Sequence, residues 1–139
     1  MLQTLSWIRA AIRRAGWAPI AVFLLHVVIS RGFGAYLEYP WLDQPMHGLG
    51  GVAIAHFFWV ATGLDEAIPI LGNLLRTGRL ILSMALAGTA TVVWECLEWT
   101  GDALGYTSAQ VGLDDTMLDM LLGLAGGALY LGIRALRRA

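Results

Sequence analysis

The stretch from Gly78 to Asp102, GRLILSMALAGTATVVWECLEWTGD, decides the fold. Between Leu80 and Val93 it carries no charged side chain, and with its flanks it reaches the roughly 20 apolar residues that a helix needs to cross a bilayer. Then three acids enter, Glu95, Glu98 and Asp102, spaced three and four apart. On a helix such spacing puts them on one face, so the pass ends in an acidic stripe.

Three further segments have the same apolar character, at about 17–36, 45–64 and 116–133, with the quoted one covering about 78–100. In lipid these are helices, because four isolated strands could not close a barrel and every backbone polar group must be satisfied within its segment. Residues 2–14 precede the first pass. Leu5, Ile8 and Ile12 share one helical face there, with Arg9 and Arg13 turned away, which fits a short amphipathic helix lying in the membrane interface. The expected fold is therefore an all-α integral membrane protein: one membrane domain over 1–139, a four-helix transmembrane bundle behind an interfacial helix. The basic start and apolar run imitate a signal peptide, but no small-x-small cleavage site follows Ser30, so the segment reads as retained.

Composition agrees. Of 139 residues, 58% are hydrophobic and 14% charged, and the mean hydropathy is +0.65. This excludes a disordered chain, a collagen and an ordinary soluble domain. A net charge of −1 gives no electrostatic basis for binding nucleic acid. Cys96 stands alone, which excludes an intrachain disulfide and every zinc site built on paired cysteines.

All nine cations are arginines, and they are placed unevenly. Arg9, Arg13 and Arg14 precede the first pass, Arg76 and Arg79 lie between the second and third, and Arg134, Arg137 and Arg138 follow the fourth. The positive-inside rule makes that face cytoplasmic, with both termini inside, and leaves Arg31 alone on the outer face. Tyr36, Tyr39, Trp41, Trp99 and Tyr106 then form an aromatic belt at the outer interface. A bacterial inner membrane is the expected location.

The acids are distributed the other way. Asp65 and Glu66 are on the inner side, whereas Glu38, Asp43, Glu95, Glu98, Asp102, Asp114, Asp115 and Asp119 lie at or near the outer ends of the passes. Asp43 and His47 are four apart, as are Asp115 and Asp119, so each pair shares a helix face. Turned inward, these faces would gather six carboxylates (Asp43, Glu95, Glu98, Asp102, Asp115, Asp119) and one imidazole into a pocket open to the outside, with Arg31 as the nearby positive charge. A carboxylate near a helix centre costs roughly 2.5–3.5 kcal/mol in the membrane. Either several of these acids are protonated or a multivalent cation neutralises them.

Oxygen ligands with one histidine suit one or two divalent ions such as Zn, Mn, Fe or Mg. The expected ligands are His47, Glu95, Glu98, Asp115 and Asp119, with Asp43, Asp102 and Arg31 around them or on a substrate. Glu98, Asp119 and Asp43 are the candidates for the catalytic carboxylates, one of them acting as general base. Asp43, Asp114 and Asp115 also have a structural reading as helix caps, and Asp102 as a solvated interface residue. His56 lies about two and a half turns beyond His47 on the opposite side of a straight helix, and His26 sits mid-pass, so both read as packing residues, as does Cys96. Gly123, Gly126 and Gly127 let the fourth pass approach a neighbour closely.

Three motifs in order, Asp43-x3-His47-x2-Gly50-Gly51, Trp94-Glu95-x2-Glu98 and Asp115-Thr116-x2-Asp119-Met120 followed by Gly123 and Gly126-Gly127, resemble the YjdF-like small bacterial inner-membrane proteins over about residues 40–130. A much looser similarity extends to the VanZ-like proteins. The resemblance implies a compact helical membrane protein with polar positions matching Asp43, His47, Glu95, Glu98, Asp115 and Asp119, and supplies no activity. Three functions follow from the residues. The first is a metal-dependent enzyme at the outer leaflet, a hydrolase or transferase for a lipid or lipid-linked substrate reaching the pocket from the bilayer. The second is a cation or proton transporter using the same acids. The third is an assembly protein in which the ionic network staples the helices, and a homo-oligomer stays open for all three.

Overall fold

The computed structural model describes residues 2–137, with Leu37 through its backbone only; Arg138, counted above with the basic face, lies outside the described residues. The described residues are helical nearly throughout and contain no strand. In chain order the helices are α1 (Leu2–Ala15), α2 (Trp17–Val27, continued by a π turn at Val28–Gly32), α3 (Ala35–Glu38), α4 (Asp43–Ala61), α5 (Ile68–Leu71), α6 (Arg76–Ala103) and α7 (Leu113–Leu136).

Two helices are long and apolar enough to cross a membrane unaided, α6 with 28 residues and α7 with 24, and up to four spans result if each of two bent pairs is one span. The first bent pair is α1 with α2, at 61°; the second joins Pro40–Ala61 to Asp65–Leu71, at 77°. The first pass read from the sequence is thus shorter than expected, since its helix ends at Gly32 and the chain turns through Gly34 at φ 61°, a left-handed conformation that favours glycine. The second is less apolar than a lone span because it is the hub. α4 packs against α7 most extensively, and also against α6, α2 and α1. A helix surrounded by protein need not be soluble in lipid, and α4 accordingly carries Asp43, His47, His56 and three glycines.

The register of the three central helices explains where the acids go. α4 and α7 run parallel and touch through backbone: a Cβ on Gly51 would overlap the carbonyl of Gly123, and one on Gly126 the carbonyl of Gly48. α6 runs the other way, and a Cβ on Gly123 would lie 2.7 Å from the Thr91 methyl group. Steps of four residues along each helix build successive buried layers: His47, Asp119 and Glu95; then Gly51, Gly123 and Thr91; then Ala55, Gly127 and Ala87; then Trp59, Leu131 and Ser83. Small residues in the second and third layers bring the helices close, as membrane helices require when packing rather than water drives association. The polar first layer is held one turn above that contact.

α1 docks at the Trp59 end of the bundle, away from His47; the Trp59 end is labelled inner and the His47 end outer, as positions in the bundle alone. The Trp7 indole N–H donates to the Ala61 carbonyl at 2.8 Å, and Ala11 packs against Ala61 and Leu64. A Cβ on Gly16 at the bend would meet the Ile12 carbonyl oxygen at 2.6 Å. Leu5, Ile8 and Ile12, the apolar stripe read from the sequence, stay exposed and available to lipid.

Candidate metal centre

His47 is the centre of the outer polar layer. Its Nε2 lies 3.5 Å from Asp43 Oδ2 one turn earlier on α4 and 3.7 Å from Asp119 Oδ2 on α7, and its Nδ1 lies 3.5 Å from Glu95 Oε1 on α6. Glu98 joins from the next turn of α6. Two overlapping groups result, Asp43–His47–Asp119 and His47–Glu95–Glu98, each with one ligand atom per residue and all such atoms within 4.8 Å of one another.

These separations are longer than N–H···O hydrogen bonds, which fall at about 2.7–3.2 Å. They match a cation's needs better. Two donors about 2.1 Å from a tetrahedral metal lie about 3.4 Å apart. Glu95 and Asp119 are 4% and 3% exposed, yet both carboxylate oxygens of Glu95 and Oδ1 of Asp119 have no hydrogen-bond partner. Native interiors seldom leave such atoms orphaned, because each unpaired buried polar group costs about 1–3 kcal/mol and a charged one more. Among the described residues no arginine lies within 4.0 Å of these acids, Arg31 included. The donor set therefore fits a divalent ion.

The six carboxylates read from the sequence divide. Asp43, Glu95, Glu98 and Asp119 surround His47. Asp102 instead organises the chain after α6: Thr107 Oγ1 donates to it at 2.5 Å, and the Ala109 and Gln110 backbone N–H groups donate at 2.9 Å each. Asp115 accepts from the Val111 N–H at 3.4 Å and lies outside both ligand groups. Asp43 makes no capping hydrogen bond, so its carboxylate is free to face His47. Asp114 is exposed in the first turn of α7, where its charge favours the helix dipole.

The remaining histidines are engaged elsewhere. His56 Nδ1 is hydrogen-bonded to the Tyr130 hydroxyl at 2.8 Å, deep toward the inner end. His26 Nδ1 lies 3.1 Å from the Tyr36 hydroxyl, and the imidazole stands edge-on to Trp94 with centroids 5.9 Å apart. A cavity of about 350 Å³ between α2, α4 and α6 is bordered by both His26 and His47. Sequence reasoning did not find this cavity; the only trace was Gly50 beside Gly51, where missing side chains leave space.

A sequence-family profile described as "Predicted membrane protein (DUF2238)" matches residues 3–139. The chain belongs to this family. A relative from Thermotoga maritima, named "Uncharacterized protein", is 30% identical over 107 residues, covering 73% of this chain and 52% of its own. The chain thus spans about half the length of that curated relative. No solved structure matches. The family description supports a membrane protein and names no reaction, so the DUF2238 chain must be read from its own residues; the matches carry neither the YjdF-like nor the VanZ-like name expected from the motifs.

Proposed function

We propose that this protein is a metal-dependent membrane enzyme, a hydrolase or transferase that acts on a lipid or lipid-linked substrate at the outer leaflet of a bacterial inner membrane. The observation that carries the reading is the pair of buried carboxylates, Glu95 and Asp119, aimed at His47 with orphaned oxygens. Asp43, His47 through Nε2, and Asp119 would hold a divalent ion, and Glu95, 3.5 Å from Nδ1, would then be placed to take that N–H and orient the imidazole, an arrangement common behind metal-bound histidines. A bound divalent ion supplies a Lewis acid that polarises a carbonyl or phosphoryl oxygen. Glu98 is only half-buried and can take up a proton at the mouth of the site as general base.

The orientation rests on charge. Arg79 and Arg134 flank the Trp59 ring at 4.2 and 5.4 Å, and Arg76 donates to the Ala135 carbonyl, so arginines from the first turn of α6 and the last turn of α7 gather at the end of the bundle opposite His47. By the positive-inside rule that end is cytoplasmic, and both termini with it. Transport is the weaker reading. A through-path along the bundle axis would have to pass the layer where Gly51 and Gly123 already touch backbone to backbone.

Elemental analysis of detergent-purified protein tests the metal. The expected result is about one divalent ion per chain, with the metal content falling sharply in His47→Ala. His56→Ala keeps the ion. Asp119→Ala against Glu98→Ala tells which of the two groups holds it. Unchanged stoichiometry in both His47→Ala and Asp119→Ala would overturn the assignment.

A further inference from the structure

The cavity beside His47 has a direction. On α4 it runs from His47 down to Ile54, and on α2 from His26 down to Pro19, about 10 Å along each helix at 1.5 Å per residue. Its walls are apolar below the two histidines, with Thr91 as the remaining polar side chain. Thr91 already donates its hydroxyl to the Ala87 carbonyl at 3.1 Å, so it presents no unmet donor. A volume of about 350 Å³ falls within the range of ligand pockets.

The side facing the bilayer is loosely closed. α2 packs on α4, but it meets α6 through aromatic edges, Phe23 and His26 against Trp94 at 6.0 and 5.9 Å. The outer face of α2 is itself suited to lipid, with Phe23, Leu24 and Leu25 about half exposed.

We infer that this cavity binds one hydrocarbon chain of a membrane lipid, tail toward Ile54 and polar group at His47, and so sets which substrates reach the centre. The inference rests on the proposed enzyme reading and names its substrate class. Two features select a lipid tail over another apolar occupant. The cavity lies parallel to the helices with its polar end at the outer end of the bundle, which is how a lipid of the outer leaflet already lies. Its polar end also carries the carboxylate–histidine cluster, so an occupant wholly apolar would leave that end unused, and a wholly polar one would lose the walls. Gly50 is the specificity position: a Cβ there meets nothing within 4 Å, so a side chain would project into free space rather than into a neighbour.

The test uses the full chain in nanodiscs of phosphatidylglycerol containing a small fraction of phosphatidylglycerol with a photoreactive diazirine on one acyl chain. After irradiation, adducts are mapped by peptide mass spectrometry. Exposed Val93 and Leu97 report contact with bulk lipid and serve as the internal reference. Enclosed Met46 on α4 reports the cavity. A label near the ester should mark Met46, and a label partway along the chain, about 10 Å from the first, should mark Ile54. Gly50→Leu should reduce both about tenfold relative to Val93 and Leu97, equivalent to about 1.4 kcal/mol of lost chain binding. The metal content of Gly50→Leu should equal that of the unaltered protein. Adducts confined to Val93 and Leu97, or the same labelling from both diazirine positions, would overturn the inference even with the metal in place, and this result does not depend on the variant folding. The reverse outcome, graded adducts in a protein that binds no metal, would keep the chain site and remove the metal reading.

Discussion

At the inner end of the bundle Trp59, Ser83 and Leu131 occupy the register that His47, Glu95 and Asp119 occupy about three turns away at the outer end. The same three helices meet in both layers, but polar groups fare differently. At the inner end Ser83 is bonded to the Thr62 hydroxyl at 3.2 Å, Thr62 Oγ1 donates to the Phe58 carbonyl at 2.8 Å, and Arg79 donates to the Trp59 carbonyl at 2.9 Å while its guanidinium stacks on the Trp59 ring. These bonds close the C-terminal end of α4, where free carbonyls and the helix dipole favour a cation. Among the described residues Arg79 Nε is the one buried polar atom left over there. At the outer end, among the described residues, three oxygens are left over on two carboxylates, Glu95 and Asp119, that both flank the His47 imidazole. An inner layer that satisfies its polar groups contributes to stability; an outer layer that leaves them unmet, in the same packing, is arranged for something that arrives.

Three perturbations bear on that contrast. The largest effect is expected at the inner end, where Arg79→Ala removes a charged hydrogen bond and a cation–π contact and should cost about 1–3 kcal/mol. Thermal unfolding in detergent measures it, and an unchanged midpoint would mean that the inner layer is no better satisfied than the outer. The second has the opposite sign. Replacing the outer acids by apolar side chains of similar size, Glu95→Met with Asp119→Leu, should raise the stability of chelator-treated protein by about 1 kcal/mol while eliminating metal binding. A loss of stability in the double variant would show instead that the acids staple the helices together. The smallest is local. Asp102→Ala should speed amide exchange at Ala109 and Gln110, whose N–H groups it accepts, and leave metal content untouched. Loss of metal in that variant would return Asp102 to the site.

Much of the outer layer was legible in the sequence because helix spacing is rigid. Asp43 with His47, and Glu95 with Glu98, had to share faces once the segments were helices, and carboxylates in apolar surroundings had to be neutralised or engaged. Asp102 and Asp115 satisfied the same arithmetic and were nevertheless drawn away, by backbone N–H groups of the segment between α6 and α7. Spacing states which side of a helix a residue occupies; it cannot state whether a loop folds back to compete for it. The early end of the first pass had a visible sign in Gly32 and Gly34, but a lone glycine is tolerated in membrane helices, so the break needed coordinates.

The sequence by itself determined that this is a helical membrane protein, which segments are apolar, that positive and negative charge sit at opposite ends, and which acids lie on a face with His47. These follow from local chemistry: the hydrocarbon forces helices, and side-chain direction is fixed by 3.6 residues per turn. Tertiary structure decided that α4 is the hub, that the Gly51–Gly123 contact fixes the height of the polar layer, that four of the six carboxylates reach His47, and that a cavity opens beside it between α2 and α6. Those depend on which helix faces which, and that is set by the closest approach of small residues across helices, a relation between distant parts of the chain that no periodicity along it records.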